Sequence, residues 1–139
     1  MGIKFNKLKE AYGTDLNDSE NGKWFEIAVG KLKIRRFTSK HTQAIRAQFE
    51  EPYRRGSNKF AELPEKVQDE INEKVLAHST VVDWEGEDFV DGNGEKIPYS
   101  PEDMLLAIKE LPDLKLEISS IALNMDNFKT KEKEEVLKN

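Results

Sequence analysis

The chain has no cysteine, which excludes disulfides, thiolate metal sites and cysteine nucleophiles. It is also lean in apolar residues, with 37% hydrophobic and 9% aromatic against 35% charged. Such a composition supports a small core under a heavily solvated surface, a balance suited to helices with one apolar stripe. No apolar run reaches membrane length. The opening Met1-Gly2-Ile3-Lys4-Phe5 lacks a secretory pattern, so a cytosolic protein is expected. Asn6 stands where N-myristoylation needs Ser or Thr. Neither a GxxxxGK[ST] or GxGxxG phosphate loop nor a GxSxG nucleophile turn is present.

What is present is charge, unevenly spread. A length of 139 residues fits one domain, residues 1–139, with a formal net charge of -5. Residues 1–60 hold 13 Lys+Arg against 7 Asp+Glu, while residues 61–139 hold 9 against 20. This asymmetry admits a nucleic-acid-binding half, a head-to-tail contact between subunits in a homo-oligomer, or simply two solvated surfaces.

Periodicity predicts an α+β fold, mostly α. Residues 1–22 read as a polar segment. Residues 23–37 read as a β-hairpin, with Gly30-Lys31 as a two-residue turn. Val29 then faces Leu32 and Ile27 faces Ile34, and Phe25 joins them on one apolar face. A lone hairpin is marginal in water, so helices must cover that face. The helical region, 38–128, supplies about four. The first is capped by Thr38 or Ser39, carries Ala44, Ile45 and Phe49, and ends or kinks at Pro52. The second starts near Pro64, with Val67, Ile71, Val75 and Val82 as its stripe. Its end is blurred by the β-branched Thr80-Val81-Val82, and Gly86 stops it at the latest. Ser100 caps the third, Pro101 opens it, and Met104, Leu105, Ile108 and Leu111 face inward. Pro112 opens the fourth, with Leu114, Ile118, Ile121, Met125 and Phe128 as its stripe. Residues 129–139 are a charged tail.

The run Asp91-Gly92-Asn93-Gly94-Glu95 invites a calcium-loop reading. Setting Asp91, Asn93 and Gly94 at loop positions 3, 5 and 6 puts Phe89 at position 1 and Ser100 at position 12, so both anchoring carboxylates are missing. A turn is the better reading, because Asp-Gly and Asn-Gly tolerate positive φ. The carboxylates Asp83, Glu85, Glu87 and Asp88 read as a solvated loop, with an acid–base pair near Trp84 and Phe89 as the weaker option. His41 and His78 lie far apart without an obvious partner. Lys31, Lys33 and Arg35 on the polar hairpin face, with Arg36, Lys40, Arg46, Arg54 and Arg55, make a basic ribbon that suits phosphates. Trp24 and Phe37 also fall on that face. The expectation is a non-enzymatic protein without metal or cofactor.

One ordered pattern spans about residues 20–128. Gly22, Trp24, Arg35 and Arg36 mark a hairpin with a basic end. Val81-Val82-Asp83-Trp84-Glu85-Gly86 follows a helix. Then come Asp91-Gly92, Pro98-Tyr99-Ser100-Pro101-Glu102, and Glu110 to Leu114. This order resembles the tail assembly chaperones of long-tailed bacteriophages and prophages. The resemblance implies a protein of the host cytoplasm that is absent from the mature virion. It implies binding to the tape measure protein, which is kept soluble, and recruitment of tail tube protein. It also implies a longer form of the chain made by ribosomal frameshift, for which the end at Leu137-Lys138-Asn139 is suited. A helical chaperone would cover the client's apolar stripes, helix against helix, and the stripe Leu114, Ile118, Ile121, Met125 and Phe128 is the candidate surface. A nucleic-acid-binding regulator using the basic hairpin is the alternative.

Overall fold

The computed structural model describes residues 2–54 and 59–130. Two short helices, α1 (Asn6–Tyr12) and α2 (Leu16–Asn21), precede the strands β1 (Lys23–Ile27) and β2 (Gly30–Ile34). Helices α3 (Lys40–Arg54) and α4 (Glu65–Val75) follow, and then strand β3 (Val81–Glu85), α5 (Pro101–Glu110) and α6 (Pro112–Leu123). The α+β, mostly helical expectation holds, and α3 to α6 are the four expected helices. The segment 1–22 is not merely polar coil, since it carries α1 and α2. Arg55 and the charged tail beyond residue 130 lie outside the described residues.

The hairpin forms with its turn at Ala28-Val29, not at Gly30-Lys31: Phe25 pairs with Leu32 and Ile27 with Gly30. The turn centre moves by two residues. An even shift leaves each side chain on its original face, so Phe25, Ile27, Leu32 and Ile34 still share the inner face. Val29 does not; it sits in the turn, 63% exposed. Gly30 has φ 126°, and a Cβ there would collide with the Glu85 carbonyl oxygen of the neighbouring strand. The close approach of β3 and the positive φ both require glycine.

β3 is the main departure from the sequence reading. Val82 is not on a helix stripe. Helix α4 ends at Val75, a wider π-helical turn runs over Leu76–Thr80, and Val81–Glu85 pairs antiparallel with β2 to give the order β1-β2-β3. The β-branched run favours a strand, and β2 offers an open edge. Ile34 pairs with Val81 but Lys33 with Asp83, so Val82 is the extra residue of a β-bulge. The bulge turns both Val81 and Trp84 inward, at 1% and 4% exposure. Their three-residue spacing imitates helical periodicity.

The main core joins the sheet to α5, α6 and the π-helical turn through Leu32, Ile34, Ala77, Val81, Trp84, Met104, Ile108, Ile118 and Ala122. A smaller cluster, Leu63, Ile71 and Val75, lies between α3 and α4 with Phe49 and Tyr53 packed on it. Caps fix the helix starts. Ser39 Oγ accepts from the Thr42 amide at 3.1 Å, and Ser100 Oγ from the Asp103 amide at 3.2 Å. Pro52 does not end α3 but lies inside it, where its missing N–H leaves one carbonyl four residues back without its helical partner. Leu111 does not face inward but is 54% exposed between α5 and α6. No helix among the described residues is long and apolar enough to cross a membrane.

Candidate functional site

An apolar groove of about 490 Å³ lies between the hairpin turn, the segment after β3, and helices α5 and α6. Ile27, Ala28, Val29 and Leu32 form one wall, and Met104, Ala107, Leu111 and Leu114 form the other, with Trp84, Phe89 and Ile97 between them. Among the described residues the charged side chains lining it are all acidic: Asp88, Asp103, Asp113 and Glu117. Concave, apolar and sparingly polar, it has the general form of a ligand or peptide site.

Of the motif residues Trp84 lines the groove, and several of the others hold its ring and strand in place. Trp84 stacks on Phe89 with centroids 4.7 Å apart and planes 10° apart, and Tyr99 meets it edge-on at 4.9 Å. The Trp84 indole N–H donates to the Ile97 carbonyl at 2.7 Å, so its buried polar group is satisfied. Tyr99 Oη donates to the Ala77 carbonyl at 2.6 Å. Burial, then Glu102 and Asp83, push its phenol well above the ordinary range. Asp83 accepts from the Trp84 amide at 2.8 Å and pairs with Lys96 at 2.9 Å. Lys96 in turn covers the Trp24 ring at 5.5 Å. Gly86, φ 146°, packs against Gly30, where a Cβ would lie 3.1 Å from the Gly30 Cα. Glu85 faces Lys31 in register on the exposed side of the sheet. Pro98 leads from Ile97 into Tyr99, and Ser100 with Pro101 starts α5.

The glycine-containing run is a closed turn. Asp91 Oδ1 accepts from the amides of Asn93 at 2.8 Å and Glu95 at 3.0 Å. The Gly94 amide donates to the Asp91 carbonyl at 3.0 Å, and Gly94 takes φ 79°. Gly92 is exposed at its tip. The Asp91 carboxylate faces its own backbone, and the turn brings Lys96 back towards Asp83. Among the described residues no cluster of three or more His, Asp or Glu is arranged to hold a metal ion.

The stripe expected to bind a partner divides. Ile118 and Phe128 are fully buried, and Leu114 and Ile121 pack against the core. Met125 is 40% exposed. Much of this face of α6 closes the core, and of the stripe Leu114 lines the groove. The stripe also breaks after Leu123, because the Asn124 side chain accepts from the Asp126 amide and starts a 3-10 turn over Met125–Phe128. Phe128 meets Phe25 edge-on at 5.7 Å.

The basic ribbon also divides. On the outer face of the sheet Lys31 lies between Glu26 and Glu85, and Lys33 between Trp24 and Asp83. Third-strand carboxylates, invisible to a two-stranded reading, interleave the lysines. Arg35 turns away, donating to the carbonyls of Glu20 and Ser79 at 2.7 Å each. Arg36 donates to Thr14 Oγ1 at 2.8 Å.

The histidines do have partners. His78 packs on Phe49 at 5.3 Å. His41 Nδ1 lies 2.7 Å from Ser79 Oγ, at one end of a chain of hydroxyls. Ser39 Oγ donates to Thr42 Oγ1 at 2.8 Å, and Thr42 Oγ1 lies 3.0 Å from Ser79 Oγ. His41 Nδ1 thus ends a run of three hydroxyls, Ser39, Thr42 and Ser79. Burial, then the Arg35 charge, lower its pKa, against a weaker opposite pull from Glu20. Ser79 is fully buried, so this chain is structural, tying α3 to the π-helical turn. A lowered pKa means the fold binds fewer protons than the unfolded chain. The contribution is complete above the unfolded value of about 6.5 and is lost as pH falls through the folded value. The thermal midpoint is expected to fall more between about pH 7 and pH 5 in the native chain than in His41→Gln. Equal falls in parallel melts would contradict the assignment.

The groove as a whole was not visible in the sequence, since its lining comes from segments as far apart as Ile27 and Glu117. No curated protein and no solved structure matches the chain. The model of one family, described as YdaY prophage protein, matches residues 37–139. The match begins three residues after β2 and runs across α3 to α6, taking in β3 and the segment into α5 but not the hairpin wall of the groove. It covers well over half of the chain, which therefore belongs to the YdaY prophage protein family.

Proposed function

We propose that this prophage protein is a tail assembly chaperone that takes helical segments of the tape measure protein against its apolar groove. The observation that carries the reading is convergence. The two motifs resembling the chaperone family, Asp83-Trp84-Glu85-Gly86 and Pro98-Tyr99-Ser100-Pro101, touch through Trp84 and Tyr99, and Trp84 lines the groove. An open apolar groove suits the helix-in-groove mode, in which anchors one turn apart insert between walls. Met104 and Phe89 give it an adaptable lining. In this reading the client is held soluble while tail tube protein is recruited, in the host cytoplasm, and the chaperone leaves before the virion matures. A longer frameshifted form of the chain would share the same groove. The role needs neither catalysis nor a cofactor. The interleaved charges of the outer sheet face give less support to a nucleic-acid-binding regulator, because adjacent carboxylates repel phosphate.

The test is co-expression with the tape measure protein encoded by the same prophage. The proposal expects the client in the soluble fraction and co-purifying with the chaperone. A client that is equally soluble, or equally insoluble, with and without the chaperone would contradict it.

A further inference from the structure

The groove leaves open what covers it before a client arrives, and the chain itself carries a segment with matching chemistry. Helix α1 and the residues leading into it bury nothing: Ile3, Phe5, Leu8 and Tyr12 are 70%, 57%, 44% and 66% exposed. Phe5, Leu8 and Tyr12 follow the i, i+3, i+7 spacing that puts them along one side of a helix. Exposed large apolar side chains in such a row mark an interaction surface rather than random scatter. The same segment is basic, with Lys4, Lys7 and Lys9 against Glu10. The groove is apolar with Asp88, Asp103, Asp113 and Glu117 on its lining and, among the described residues, no basic residue. The segment is held to the body just behind α1, where Thr14 bridges Lys129 and the Asp15 amide donates to the Phe128 carbonyl at 2.7 Å. Residues 3–12 therefore project from a fixed base with their apolar row uncovered.

We propose that the N-terminal segment of one copy docks in the acidic-rimmed groove of a second copy, giving head-to-tail self-association. The apolar row supplies the buried contact, and the lysines meet the acidic rim. Each contact leaves one copy with a free groove and the other with a free segment, so the contact is heterologous and extends into chains or closes into a ring. The rim charges are solvent-exposed, so salt weakens the contact. The proposal does not depend on the chaperone reading, because purified chain alone tests it.

Sedimentation velocity on the full chain at low salt is expected to show mass rising with concentration, and a fall at about 0.5 M salt. The triple substitution Phe5→Ser, Leu8→Ser, Tyr12→Ser changes only exposed positions and should give a monomer. Ala107→Glu, which places a carboxylate inside the groove, should also give a monomer, with its helical circular dichroism retained. Mixed one to one, the two variants leave one intact segment and one intact groove, and should form a dimer that grows no further. A native chain that is monomeric at every concentration would overturn the proposal. So would assembly that survives the triple substitution, or a mixture that stays monomeric.

Discussion

Replacing Trp84 with alanine is expected to destabilise the fold by about 3–5 kcal/mol. Its ring is 4% exposed, sandwiched between Phe89 and Tyr99, and its indole N–H satisfies the Ile97 carbonyl. Truncation removes the buried ring, opens a cavity beneath the hairpin and strands that carbonyl. Trp24→Ala is the control. That residue is 37% exposed on the outer face, and about 1 kcal/mol or less is expected. Urea unfolding would read both as shifts in midpoint at similar slope. Equal costs for the two tryptophans would mean that the aromatic cluster does not anchor the sheet to the segment leading into α5.

Ala107→Glu is expected to abolish client retention while leaving the fold intact. Ala107 is half-buried on α5 and lines the groove beside Leu111 and Leu114. Glutamate is a good helix former, so α5 should persist. Its carboxylate would enter an apolar cleft already rimmed by four acids, Asp88, Asp103, Asp113 and Glu117. A client helix would have to bury that charge unpaired, at a cost that lowers affinity at least about tenfold. Retention of soluble client by this variant at native levels would place the binding surface elsewhere. Glu85→Ala, on the opposite face of the sheet, should retain client normally.

How much of this was legible in the sequence depended on whether the signal was local. The inner face of the hairpin was readable because alternation survives a two-residue displacement of the turn; only Val29 changed place. The starts of α5 and α6 were readable because a Ser cap and the prolines act within one turn. β3 was not, because Val82 falls seven residues after Val75, a spacing that continues the helical stripe, whereas its place as a bulge residue depends on pairing with β2. The failure propagated. Without β3, Lys31 and Lys33 read as a basic ribbon, whereas Glu85 and Asp83 stand beside them. The apolar stripe of α6 was legible as apolar, but not how folding divides it: Ile118 and Phe128 are buried, Met125 is 40% exposed, and Leu114 lines the groove. The hydroxyl chain from Ser39 to His41 passes through Ser79, 38 positions away from His41, and the groove draws on even more distant segments. Folding alone brings such residues together.

The groove as client site is the central claim, and methyl NMR tests it most directly. A helical peptide from the tape measure protein would be titrated into chain labelled at Ile, Leu, Val, Met and Ala methyls. The account predicts shifts concentrated at Val29, Met104, Ala107 and Leu114, with Ile71 and Val75 in the separate α3–α4 cluster unmoved. Saturable shifts confined to that cluster or to the outer face of the sheet, with the groove methyls silent, would contradict it.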